Sequence, residues 1–213
     1  PSATFTPSPS PTIALTRTPS LTPTASRTPS ITATRTASPT PTLARLCLGN
    51  QVFKDLDDDG VFETAAGETG IALVEVKLWR DSDGNGRLSA ADSFVDDTVT
   101  DALGRYGFCN LDAGDYIVEV ALANFGPGGK LEGMPSSRGN NVAGEAPDPD
   151  NNVDDDDNGD EIPGRGVAAK AVTLSAGAEP PTGADGDDSN KNATVDFGFV
   201  CQLCLGNQVF KDL

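Results

Sequence analysis

The 213 residues contain no histidine, one methionine and one tryptophan. Without histidine there is no Ser-His-Asp or Cys-His catalysis and no ordinary zinc hydrolase site. A single tryptophan leaves little for stacking on sugars. No apolar run approaches the roughly eighteen residues of a membrane span, and no phosphate-loop or dinucleotide-binding glycine pattern occurs. No secretory leader is visible, and a chain starting at Pro1 reads as a piece of a longer secreted precursor. Acid is absent from the first 54 residues. Residues 1–45 carry four arginines and no acid, a charge of +4, whereas the remainder sets 32 acids against 11 basic residues, a charge of -21. The acidic part excludes nucleic acid and anionic membrane as partners, repels itself unless cations neutralise it, and attracts the basic segment of another copy.

What is present is first of all a parity rule. From Ser2 to Thr42 every even position except Ala14 is Ser or Thr, and no odd position is either. A period of two is that of an extended strand, whose alternate side chains face opposite ways. One face is therefore hydroxyl; the other carries Phe5, Ile13, Leu15, Leu21, Ile31, Arg17, Arg27, Arg35 and every proline of the segment. Prolines confined to one parity remove backbone donors from one edge and leave the other able to pair. At about 3.3 Å per residue the segment spans roughly 140 Å, far beyond a domain of radius near 15 Å. Residues 1–45 are thus expected to be an extended arm along neighbouring subunits. Its candidates for O-glycosylation are Thr4, Thr6, Ser8, Ser10, Thr12, Thr16, Thr18, Ser20, Thr22, Thr24, Ser26, Thr28, Ser30, Thr32, Thr34, Thr36, Ser38, Thr40 and Thr42. A flexible linker grown by duplication of dipeptides would preserve the same parity.

Beyond the arm, apolar alternation between Asp/Asn/Gly loops predicts strands at 47–54, 71–80, 94–100, 105–110, 116–122, 167–174 and 194–200. The third and fourth read as a hairpin around Asp101 to Gly104. No window has a helical period. The expected fold is all-β: a seven-stranded sandwich of two sheets over residues 46–200.

The acids fall into groups. Asp55, Asp57 and Asp59 before Gly60 match the start of an EF-hand loop, in which alternate oxygens converge on a hard cation and glycine permits the sharp turn. Its twelfth position is Ala66, so Glu63 or Glu68 must complete the shell. Asp81, Asp83, Asn85 and Gly86 repeat the pattern, with Ser89 ninth and Asp92 twelfth; this loop also looks like that of dockerin modules, without flanking helices. A looser third set comprises Asp150, Asp154, Asp156, Asn158 and Glu161, joined by Asp185 and Asp187. Calcium is the expected ligand, against the plainer reading of a solvated acidic surface. Carboxylates this dense, amid glycines, suit metal ligation better than a tuned pair for proton transfer, so no enzyme is expected.

A resemblance then becomes specific. The ordered runs LGNQVFKDLDDDGVFE, GIALVEVKLW, TDALGRYGFCNLDAGDYIVEV, AVTLSAGAEPPTGADGDDSN and NATVDFGFV resemble the B-type domain of bacterial serine-aspartate-repeat surface proteins. That resemblance implies a prealbumin-like, collagen-adhesin-B-like sandwich used in tandem as a calcium-stiffened stalk. Some relatives carry a Lys–Asn isopeptide bond, but TVDFGFV has no asparagine to supply one.

Cys47, Cys109, Cys201 and Cys204 suit an oxidising compartment and allow three pairings. Asn192-Ala193-Thr194 is a glycosylation sequon. Residues 204–213 repeat 47–56 without a change, at an offset of 157, so 201–213 is either the start of a further module or a strand donated to a neighbour. Either way, copies of the chain join head to tail. The functional expectation is a secreted, calcium-stabilised structural subunit of an extracellular filament or cell-surface stalk with a glycosylated arm. The alternative is an adhesin or dockerin-like ligand-binding module on a glycosylated linker.

Overall fold

A computed structural model describes residues 45–137, 145–180 and 189–200. The arm up to residue 44, Asp185, Asp187, Cys201, Cys204 and the repeated strand lie outside them. Among the described residues there is no α-helix, and no helix long and apolar enough to cross a membrane.

The organising element is β1 (Leu46–Asp55), a strand buried at Leu46, Leu48, Val52 and Phe53. Along one edge it pairs in parallel with β10 (Lys191–Asn192) and β11 (Phe197–Val200), which puts Asp55 opposite Val200. Along the other it pairs antiparallel with β5 (Arg105–Leu111) and β2 (Thr69–Gly70). The second sheet runs β4 (Ser93–Val99), β3 (Glu75–Arg80), β6 (Gly114–Val120), β8 (Val167–Ala168), β7 (Asp160–Glu161), with β9 (Val172–Leu174) also on β6. Inward residues of both sheets make one core, among them Leu48, Val52, Val76, Leu78, Phe108, Val118, Val120, Phe197 and Phe199. The period-two alternation, apolar toward the partner sheet, is why these segments are strands.

The all-β, two-sheet expectation holds, but among the described residues its seven strands become eleven segments. Residues 71–74 are not strand: Leu73 has φ 62° and the chain there crosses between sheets. The run 167–174 splits into β8 and β9, and the two-residue strands β2, β7 and β10 are too short to show a period. The hairpin expected around Asp101 is also corrected. β4 pairs with β3 and β5 pairs with β1, so the turn carries the chain from one sheet to the other. Asp101 tightens that turn by accepting the Leu103 and Arg105 amides, which hold its carboxyl below the usual range.

β4 is an edge strand, and two features blunt it. The register shifts between Leu78 and Trp79, and Asp96 stands opposite inward-facing Leu78. A bulge and an exposed charge on the edge strand both oppose pairing with a foreign strand.

One cysteine pairing is resolved: Cys47 on β1 bonds Cys109 on β5, 62 residues away. Closing a loop of that length contributes about 2–4 kcal/mol, with about 4 as the upper value. Replacing both cysteines by serine should lower the free energy of urea unfolding by that amount; a loss below about 0.5 kcal/mol would show that the bond adds nothing to pairing β1 with β5.

Candidate metal loops and the acidic network beneath them

The first loop leaves the end of β1 and the second the end of β3. Both fold in the same way. In each, the first aspartate accepts backbone amides three and five residues on: Asp55 from Asp58 (2.6 Å) and Gly60 (2.8 Å), Asp81 from Gly84 (2.8 Å) and Gly86 (2.9 Å). The fifth residue then accepts the seventh: Asp59 from Val61 (2.8 Å), Asn85 from Arg87 (2.7 Å). Gly60 and Gly86 have φ 76° and 74°, a left-handed turn at which a side chain would be strained.

Each loop is closed by a further carboxylate, Asp92 as the spacing predicts and, of Glu63 and Glu68, the latter. Asp92 accepts the amides of the second and ninth residues, Ser82 (3.0 Å) and Ser89 (2.6 Å). Glu68 accepts the same two in its loop, Leu56 (2.7 Å) and Glu63 (2.8 Å). It stands two residues later because the short 3-10 turn Thr64–Ala66 lengthens the loop, and its side chain is one methylene longer. Glu63 therefore matches Ser89 in position, and Ser89 itself donates to Asp83.

Oxygen atoms of Asp55, Asp57 and Asp59 lie within 4.8 Å of one another, as do those of Asp81, Asp83 and Asp92. That span is about twice a calcium–oxygen distance of roughly 2.4 Å, and the donors are all hard oxygen, so both sets fit a calcium ion. Among the described residues the third stretch brings no three acidic side chains together in this way.

That stretch instead serves as a buried clasp. Asp157 donates its amide to the Gly60 carbonyl, and Phe62 donates to the Asp155 carbonyl, which fastens 154–158 along the first loop. Asp154 accepts from Asn50 (2.6 Å), Asp150 from the Thr173 amide (2.9 Å), Asp156 from Asn158 (3.2 Å), and Asn158 accepts the Asp196 amide (3.0 Å). Glu161 is exposed on β7. Two further acids matter here. Asp196 accepts from the Gln51 amide, Asn50 and the Asp155 amide, and Asp157 from Gly159 and Gly198. Both are almost fully buried, as is Asp55, which also accepts the Ser137 hydroxyl. An acid within the apolar run TVDFGFV was the available signal for Asp196.

Asn192 of the sequon is 1% exposed, its carbonyl oxygen held by the Thr194 amide and hydroxyl, so it is closed to glycosylation in the folded protein.

Burial pushes the Asp157 and Asp196 carboxyls well above the usual range, reinforced by Asp55 beside the first and Asp154 beside the second. A raised folded-state value means that the native protein binds these protons more tightly than the unfolded chain. In a metal chelator, stability should therefore rise as pH falls from 7 toward the unfolded carboxylate value of about 4, by up to about 1.4 kcal/mol per pH unit per group. Thermal melts across that window check it. Asp157→Asn and Asp196→Asn should each flatten the slope; a slope unchanged by both would mean that neither carboxyl is the group titrating.

No curated protein matches this chain. Two solved structures are distantly similar: the major pilin SpaA of Corynebacterium diphtheriae (13% identity, TM-score 0.35, 73% of this chain covered) and a 9R-lipoxygenase from Cyanothece PCC8801 (12%, 0.28, 79%). This chain spans 30% and 18% of their lengths, and neither likeness bears on function. The family model for the SdrD B-like domain, by contrast, matches residues 46–199. That stretch contains both carboxylate loops, the clasp along the first of them, and the disulfide; this chain belongs to the SdrD B-like domain family.

Proposed function

We propose that this chain is a calcium-stabilised structural module of an extracellular filament or cell-surface stalk, joined head to tail to further copies of itself. The observation that carries the reading is the pair of matched loops, each drawing three carboxylates within 4.8 Å. At that separation two like charges repel by about 1 kcal/mol in water and by 3–4 at an effective dielectric of about 20. A divalent cation turns that repulsion into attraction and adds an ionic crosslink at the base of each loop. Asp55, Asp57 and Asp59 would hold one ion, with Glu68 bracing the loop. Asp81, Asp83, Asn85, Ser89 and Asp92 would hold or brace the other. An oxidising, calcium-rich exterior suits both these loops and the disulfide. The Ser/Thr/Pro arm, carrying covalent glycans, would run along neighbouring copies, its arginines matched to their acidic surface. No turnover is proposed.

Calcium at millimolar concentration should stabilise the protein by about 1–2 kcal/mol per weak site, a loss read as a lower Tm on chelation. Asp57→Asn and Asp83→Asn should each remove about half of that difference. The pH slope should also change sign: with calcium saturating, acid displaces the ion and destabilises, the reverse of the behaviour in chelator. An unchanged Tm on chelation refutes the calcium reading. Filament formation by the purified protein alone separates a structural subunit from a ligand-binding module, which would stay monomeric until its ligand is added.

A further inference from the structure

We propose that the end of the sandwich where the chain leaves β11 is an interface that receives the opposite end of a second copy. This rests on the head-to-tail reading and names the surface that makes the joint.

At this end β1 finishes, β3 begins, β4 and β6 finish, and β5 begins, together with the end of β11. Contacts between the sheets fix the grouping: Leu73 donates its amide to Thr100, Ile71 to Val52, and the Phe125 and Phe199 rings lie 5.6 Å apart. Eight large apolar residues are exposed among the described residues, and five border this end: Leu56, Leu73, Val99, Leu103 and Leu122, at 49–59% exposure. Leu73 is the most telling. Its φ of 62° is a conformation that favours glycine or asparagine, and its side chain faces water, so leucine is unfavourable there on two counts in an isolated copy. Phe94 and Val95 are exposed where β4 begins, toward the other end.

The occupant follows from the path of the chain. The repeat extends one residue further than the cysteine, since Leu203 also matches Leu46, the first residue of β1. Within its own copy the β1 position is already filled and paired along both edges. Residues 203–213 can therefore act as β1 only in a copy without a β1 of its own, as a module that continues the same polypeptide would be. In that copy Leu203 takes the place that Leu46 has here, beside the counterpart of the Cys47–Cys109 bond, with Gln202 at the position of Arg45. Three Cα steps separate Leu203 from Val200, at most about 11 Å. The second copy must bring that end against the apolar end of the first. Because the two surfaces differ, the contact is heterologous and repeats without closing. So short a tether makes even a small interface effective.

The test compares the 213-residue chain with the same chain continued in frame after Leu213 by a second copy of residues 57–200. The two-copy chain should melt about 3 °C or more above the single one, and its copies should tumble as one body in NMR relaxation. Leu73→Asn with Leu122→Asp in the first copy should abolish both effects. The same pair in the 213-residue chain should leave its Tm unchanged or raise it, because asparagine accepts the left-handed backbone. Equal melting and independent tumbling overturn the interface. Peptide mapping separates the two ways of failing: a disulfide from Cys204 to the second copy's counterpart of Cys109 shows the repeated strand in place, and its absence overturns the strand reading itself.

Discussion

Two-sided pairing of β1 is the constraint on which the rest depends. The strand bonds β10 and β11 along one edge and β5 and β2 along the other, and a disulfide ties it to β5. Its last residue, Asp55, is fully buried and organises the first loop through the amides of Asp57, Asp58 and Gly60. Loss of β1 would therefore remove the middle of one sheet, the core residues Leu46, Leu48 and Val52 and the first residue of a carboxylate site together. Cooperativity of this kind is why one strand, rather than any loop, is the unit in the proposed joint between copies.

Charge is the second theme. A body with an excess of 21 acids keeps several of them out of water, where an isolated carboxylate is costly unless it is hydrogen-bonded. Asp157 and Asp196 meet that condition by accepting backbone amides from segments distant in sequence, so each acts as a fastener between loops, whereas Asp55 accepts amides of its own loop and the Ser137 hydroxyl. The two outer loops follow a different logic, with carboxylates converging on a common point and, buried Asp55 apart, left partly or fully exposed. Proposed calcium would act on the second class and lower the electrostatic cost of the first.

Much was readable locally. Asp55-x-Asp57-x-Asp59-Gly60 and Asp81-x-Asp83-x-Asn85-Gly86 encode their own turns through contacts only two to five residues apart. Glu68 was ambiguous because an inserted 3-10 turn moved it off the expected spacing, and hydrogen bonding rather than position marks it as the counterpart of Asp92. The turn at Asp101 misled because a tight turn between two strands is chemically alike whether they pair with each other or lie in different sheets.

By itself the sequence determined the all-β class, the position of most strands, both carboxylate loops and the repeat of β1, since each depends on residue types at fixed local spacing. Only the tertiary structure decided that Cys47 joins Cys109, that 154–158 clasps the first loop through Asp157, that Asp196 is a buried acceptor, and that the exposed leucines gather where the chain leaves. Those outcomes depend on pairs separated by dozens to more than a hundred residues, which strand pairing brings together and which no local pattern records.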